Sequence, residues 1–359
     1  MIYEYAGNLH MHTPFSDGMG THDEIGDAAL RAGLDFVVVT DHNVWVEGVE
    51  GYRYDGDQRV LLLVGEEIHD QVRVPQKNHL LVLGAERELA RLAPEPQRLL
   101  DEIARLGGLA FFAHPVDPAA PKFRQEDLSW VDWGLRGYTG IEIWNFMSDF
   151  KARLTSIPAG LFYSYNPPRI ARGPFPEAIR QWDRLLAQGR RVVAIGGSDA
   201  HALNIRAGPL HATVFPYEFL FRAVNTHVLT NEPLTGDTAA DRLSIYASLR
   251  QGHCFVGYDL PAPTRGFRFT AQGKDHAVLM GDAIPAHPAV TLQAWLPQRA
   301  DIRLLCDGQV IREVYDQQSI VETVKTPGVY RLEAATDFRG RRRTWILSNP
   351  IYVTDGATQ

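Results

Sequence analysis

Thiols are nearly absent from this chain: Cys254 and Cys306 stand alone among 359 residues. So sparse a count excludes a disulfide-stapled scaffold or a cysteine-rich zinc site, and it fits reduced thiols in a cytoplasmic protein. Basic charge is also thin. Lys and Arg number 36 against 43 Asp and Glu, for a net charge of −7. A nucleic-acid groove would need a positive footprint, so no nucleic-acid partner is expected. The one basic cluster, Arg341-Arg342-Arg343, reads as a solvated hairpin or strand end. No apolar run approaches membrane-spanning length, and Met1-Ile2-Tyr3-Glu4-Tyr5 lacks the basic start and apolar stretch of a signal peptide. A soluble cytoplasmic protein with no membrane partner is the expectation. There is no Gly-x-Ser-x-Gly elbow, and no motif histidine lies near either cysteine, which disfavours serine or cysteine nucleophiles.

What the chain has is histidine, thirteen in all, with several followed or preceded by carboxylates in short separated segments. These are His10-Met11-His12 with Asp17, Thr40-Asp41-His42-Asn43, Gly65-Glu66-Glu67, Asn78-His79, His114-Pro115 and Gly197-Ser198-Asp199-Ala200-His201. Neutral imidazoles and carboxylates suit zinc, manganese or iron, and the set is too large for one ion. Most of these segments end an apolar, β-branched run: Ile2 to Leu9, Phe36 to Thr40, Val60 to Val64, Leu109 to Ala113 and Val192 to Gly196. Such runs between helical patterns read as buried parallel strands, and α/β barrels gather their active-site residues at strand carboxyl ends.

Those residues, in that order, resemble the polymerase and histidinol phosphatase (PHP) domain family over roughly the first 210 residues. The resemblance implies a distorted seven-stranded (β/α) barrel of PHP type holding a trinuclear site. Position by position it implies His10, His12, Glu67 and Asp199 for a first metal, and Glu67, His79 and His114 for a second, with Glu67 bridging. Asp17, His42 and His201 would hold a third. Two to three divalent ions, Zn, Mn or Fe, are the expected cofactors. The general layout, with a β-rich carboxyl-terminal part, is similar to the branch named after a carbaryl hydrolase.

Two domains are expected: residues 1–260 as the metallohydrolase barrel with a connecting segment, and residues 261–359 as a small β-rich domain. Thr21 with Glu24 forms a capping box for a helix closed by Gly33; further helices span Pro96 to Leu106, Pro176 to Ala187 and Asp241 to Gln251. Pro115 to Gly137 and Met147 to Gly173 read as long aromatic loops walling a pocket. From about Gly266 the pattern alternates, with turns at Asp307-Gly308 and Pro327-Gly328, as in an antiparallel β-sandwich.

The expected activity is metal-dependent hydrolysis, foremost of a small phosphorylated metabolite. A metal-bridging hydroxide would make the in-line attack, with Glu67, Asp199 and His201 as the catalytic set. A carboxylic or carbamate ester hydrolase on the same site is the alternative, favoured by an apolar pocket without arginines; a non-catalytic metal-binding module is a third. Arg172, Arg206 and Lys77 are the candidates for holding an anionic substrate. Strand alternation turns Glu66 away from Glu67's face. Asp41 serves either to orient a ligand or as a structural hydrogen-bond partner. His22, His69, His211, His227, His253, His276 and His287 read as surface or structural residues. A homo-oligomer is compatible with all of this.

Overall fold

A computed structural model describes residues 1–207 and 210–355; the side chains at 205–207 and 210–212 lie outside that description. Eight strands open the chain: β1 (Tyr3–Asn8), β2 (Phe36–Val39), β3 (Gly51–Asp55), β4 (Gln58–Ile68), β5 (Leu80–Leu83), β6 (Leu109–Phe112), β7 (Gly140–Asn145) and β8 (Val193–Gly197). Five of them, β1, β2, β4, β6 and β8, coincide with the runs read from the sequence. Parallel pairings join β1 to β2, β2 to β4, β6 to β7 and β7 to β8. A parallel bridge between Met11 and Ala200, just beyond β1 and β8, closes the ring.

The ring departs from an all-parallel barrel at β5, which runs antiparallel to both β4 and β6. No helix separates β4 from β5, so the chain returns directly, and β3 likewise folds back on β4 as a hairpin. That reversal explains the odd place of His79. It precedes its strand, and because β5 is inverted its beginning lies at the rim where the other strands end.

Alternation assigns the faces. Phe36 and Val38, Leu61 and Leu63, Leu81 and Leu83, Leu109 and Phe111, and Val193 and Ile195 share one buried cluster. Val37, Val39, Val60, Leu62, Val82 and Ile141 belong to another, with Ile25, Leu99 and Trp182 from helices, while helix residues Ile245 and Leu249 join the first. Alternate residues from five ring strands can meet only inside the ring. Glu67 has the parity of Leu61 and Leu63, and Glu66 that of Val60 and Leu62.

Helix α1 (His22–Ala32) has the capping box at Thr21 and Glu24 and ends at Gly33 with φ 77°. Helix α2 is Pro96–Arg105, and the Met147 to Gly173 segment is helical where a loop was expected: α3 (Phe146–Arg153) is capped by Asn145 and α4 (Ile157–Tyr165) by Ser156. Then come α5 (Pro176–Ala187), a hairpin of β9 (Leu203–Ala207) and β10 (Leu210–Val214), and α6 (Tyr217–Phe221). After them lie β11 (Val224–Thr230), α7 (Thr238–Gln251) and β12 (Cys254–Tyr258). Helix α7 starts three residues before the expected Asp241, because Asp237 is the cap, accepting from Ala240 N.

The remaining strands are mainly antiparallel, centred on the long hairpin of Val290–Cys306 with Gln309–Val324, which turns at Asp307 (φ 49°) and Gly308 (φ 77°). One pairing, Ala283–Pro285 with Ile351–Thr354, is parallel. Their core holds Phe267, Leu292, Ile302, Leu332 and Trp345. Hydrogen bonding runs on from β1 through β11 and β12 to Arg341–Ser348. The triple arginine opens a strand after a turn, with Arg341 and Arg342 exposed as expected, but its third member is not solvated. Arg343 is buried and donates to the carbonyl of Ala171, and Thr344 N donates to Arg172 O at 3.0 Å.

Candidate metal centre

Glu67 stands at the centre of the rim, fully buried, and its two oxygens face different imidazoles. Oε1 lies 2.8 Å from His79 Nδ1 and 2.9 Å from His114 Nε2. Oε2 lies 3.0 Å from His10 Nε2 and 3.2 Å from both His12 Nε2 and His42 Nδ1. Asp199 Oδ1 adds the other side of the first group, 3.2 Å from His12 Nε2 and 3.4 Å from His10 Nε2. Asp17 Oδ1 is 3.1 Å from His201 Nε2 and 3.8 Å from His42 Nε2.

Three sets have donor atoms within 4.8 Å of one another: His10, His12, Glu67 and Asp199; His42, Glu67 and His79; and His12, Asp17, His42 and His201. These sets hold eight of the nine residues that the resemblance implied, and the ninth, His114, meets them through Glu67 Oε1 at 2.9 Å. The grouping differs from the implied one: His42, within reach of both Glu67 and Asp17, takes the place of His114 beside Glu67 and His79, and His12 joins Asp17, His42 and His201. The donors are imidazole nitrogens and carboxylate oxygens, the chemistry that Zn, Mn and Fe accept. His42 Nδ1 is buried and close to Glu67 Oε2, yet out of line for a hydrogen bond. Such geometry suits two donors aimed at a common point, and the residues therefore fit a bound cation.

The electrostatics favour positive charge between these carboxylates. Burial disfavours the charged form of His12, yet hydrogen bonds to Asp199 and Glu67 lift it to about 9. His114 is likewise lifted to about 9 against its burial, chiefly by Glu67. Burial pushes Glu67 and Asp199 upward, but the surrounding imidazoles hold both well below the usual carboxylate range. At His42 burial dominates and its pKa falls well below the ordinary value.

Local backbone is bent to make this rim. His114 has φ 28° and Asp199 φ 57°, while Asn43, Asn78 and Ala202, each beside a candidate ligand, have φ between 51° and 65°. Residues held in the left-handed region cost energy, and they concentrate where the surrounding structure needs them. Gly197 is required by space. A Cβ there would lie 2.4 Å from Glu142 Oε1.

Glu142 is the main residue that sequence reasoning missed. It is buried in β7, and both its oxygens lie 3.1 Å from His10 Nδ1. It also accepts from His114 N at 2.9 Å and Asn145 Nδ2 at 3.0 Å. Both His10 nitrogens face carboxylate oxygens; a proton donated from Nδ1 to Glu142 would leave Nε2, directed at Glu67, as the metal donor, the arrangement that orients metal-binding histidines. The available signal was a lone Glu inside the apolar strand Gly140-Ile141-Glu142-Ile143-Trp144. Tyr217 was missed too; its hydroxyl donates to His12 O at 2.7 Å.

His69 is not at the surface. Its ring stacks on His79 at 4.3 Å and meets His42 edge-on at 5.1 Å, and burial pushes its pKa down to about 4. His227 is structural, buried between Glu4 (2.9 Å) and Asp259 (3.1 Å). Asp41 takes the structural alternative, accepting from Thr13 N, Thr13 Oγ1 and Ser16 Oγ at 2.7, 2.7 and 2.6 Å, which fixes the turn leading to Asp17. Ser198 donates to Asn8 Oδ1 at 2.9 Å. Glu66 faces outward but is buried rather than superficial, accepting from Leu89 N, and burial lifts it to about 8.

A cavity of about 760 Å³ opens from Asp17, His42, Glu67, His79, His114, Asp199 and His201. Its far walls come from α3 and α4, the 123–128 segment and the β9–β10 hairpin. Among the described residues lining it there is no arginine, and its one lysine, Lys151, is tied to Asp117 at 2.5 Å and to Glu126 O at 2.6 Å. Lys77 and Arg172 do not line it: Lys77 pairs with Asp127 at 2.7 Å, and Arg172 donates to Tyr163 Oη at 3.3 Å. The Arg206 side chain lies outside the described residues.

Residues 8–94 match the PHP domain family, a stretch that carries His10, His12, Asp17, His42, Glu67 and His79. An uncharacterised protein of Methanocaldococcus jannaschii is 25% identical over 122 residues, covering 31% of this chain and 68% of that protein. A crystal structure of a two-domain protein from Bacteroides vulgatus, containing a predicted PHP-like metal-dependent phosphoesterase, aligns over 97% of this chain and 95% of its own. Its TM-score is 0.43 at 16% identity. An amidohydrolase from Chromobacterium violaceum, solved with sulfate and no metal, aligns over 54% of this chain and 87% of its own, with a TM-score of 0.30 and 15% identity. No helix among the described residues is long and apolar enough to cross a membrane.

Proposed function

We propose that this chain is a metal-dependent hydrolase of ester bonds, with His10, His12, Asp17, His42, Glu67, His79, His114, Asp199 and His201 holding two to three divalent ions. The observation that carries this reading is the placement of Glu67, whose two oxygens each face separate imidazoles. Divalent ions at such a site supply Lewis-acid polarisation and acidify a water toward neutral pKa. The chain's own part is orientation. Glu142 fixes the tautomer of His10, and Asp199 O, 2.9 Å from His201 Nδ1, turns His201 Nε2 toward Asp17. A substrate body filling the space between the apolar walls would displace water from the cavity, which strengthens every charge interaction at the reacting centre.

The PHP match supports a phosphoester as the bond cleaved. A carboxylic or carbamate ester is the second reading, supported by the cavity, where no arginine is found among the described lining residues and Lys151 is neutralised by Asp117. The test is a panel of p-nitrophenyl phosphate, its bis-ester and p-nitrophenyl carboxylates, assayed with Mn or Zn supplied and after chelation. Elemental analysis should find about two to three ions per chain. Chelation should abolish turnover. Activity in protein holding less than one ion per chain refutes the metal reading, and cleavage of carboxylates alone selects the second bond class.

A further inference from the structure

Helix α4 has no charged residue in Ile157-Pro158-Ala159-Gly160-Leu161-Phe162-Tyr163-Ser164-Tyr165, and of these only Gly160 is buried. Ile157, Leu161 and Tyr165 are 62%, 56% and 66% exposed, yet the same three side chains line the cavity that begins at the metal ligands. Met147, Phe150 and Leu154 continue that lining inward. Apolar side chains contiguous with a cavity, half in water and outside the hydrophobic clusters, mark a ligand surface rather than a core. Among the described residues of the walls the charges are Lys151 and Asp117, which pair with each other, and Lys151 is further held by Glu126 O. Against these described wall residues a polyanionic or heavily hydroxylated substrate body would lose its water with little in return.

We propose that the cavity between α3 and α4 is a chamber for an uncharged, apolar substrate moiety, an aryl or branched alkyl group larger than one phenyl ring, with the scissile ester at the metal rim. Substrate size and polarity are set by Leu154, Ile157, Leu161 and Tyr165. This rests on the hydrolase reading for the bond cleaved, but not for the binding of the moiety itself.

Two measurements test it on the intact protein. The first is calorimetric titration with 4-phenylphenol, which has no ester, using protein with its metals and after chelation. Binding is expected in both states and should weaken at least tenfold in Leu161→Glu but not in Leu161→Met. Leu161 is over half exposed, so the charge enters no core, and a melting curve checks the fold. The second measurement follows KM along a ladder of p-nitrophenyl carboxylates and of alkyl and aryl phosphates. In the class that is cleaved, KM should fall about fourfold per added methylene until the chamber is full. No binding of 4-phenylphenol, equal binding by Leu161→Glu, or a preference for glycerol phosphate over aryl phosphate overturns the proposal even if hydrolysis is robust. Tight, Leu161-dependent binding with no ester of any kind cleaved leaves the chamber standing and removes the hydrolase reading instead.

Discussion

The rim and the chamber wall belong to one cavity but are built by opposite means. The rim is polar, buried at Glu67, His10, His12, His79 and His114 and most open at Asp17. It is over-determined: each candidate ligand lies beside a carboxylate or imidazole of another, and Glu67 alone meets five imidazoles. The wall is apolar and half exposed, and α4 contributes Ile157, Leu161 and Tyr165, each more than half in water. Chemistry at the rim needs atoms at fixed separations, whereas a wall that receives an apolar group needs only shape and the absence of charge. Substitutions at the rim should therefore be felt in rate and metal content, and substitutions at the wall in affinity.

The largest effect should come from Glu67→Gln. An amide oxygen bridges cations poorly, so turnover should fall by about a thousandfold or more with loss of metal. Glu66→Gln, on the outward face, should keep its metal. Rates and elemental analysis of both variants check the register of β4; metal loss in Glu66→Gln alone would reverse it. Next is Glu142→Gln, which removes the anchor of His10 Nδ1 and should cost roughly 10- to 100-fold in metal affinity or activity, read by competition with a chelator.

Asp149 lies on α3, the helix that sends Phe150 and Lys151 into the chamber, and is itself fully buried. Burial lifts its pKa to about 7, against a hydrogen bond from Trp144 Nε1 at 2.9 Å and the charge of Arg153. Between the ordinary Asp range and pH 7 the folded chain keeps a proton that the unfolded chain has released, so this group's contribution to stability falls as pH rises through that window. Asp149→Asn should then be more stable than the parent at pH 8 by about 1–2 kcal/mol, with the advantage gone near pH 4. Denaturant midpoints at the two pH values check it. The smallest effect belongs to Thr21→Ala, which removes the cap of α1 and should cost about 1 kcal/mol by the same measurement.

The rim was largely legible in the sequence because ligands must be polar and must stand at strand ends, two properties visible without coordinates. Glu142 escaped because nothing near it repeats: a single acid in an apolar strand carries no spacing. The wall was misread as loop since Pro158, Gly160 and Pro167-Pro168 punctuate it, although Asn145 and Ser156 were the caps that announced α3 and α4. Arg343 looked solvated because its partner, the carbonyl of Ala171, lies far away in sequence.

The inverted strand β5 also governs where this chain can tolerate change. Connections that cross behind the ring, such as the one carrying α1 between β1 and β2, return to the rim only after a full strand, so added residues there are absorbed on the far side. The link from Asp70 to Asn78 runs along the rim itself and delivers His79 at its last step. Lengthening it by even one residue would displace a donor directly, so natural variation in length should collect in the helical crossovers and be scarce in this short return.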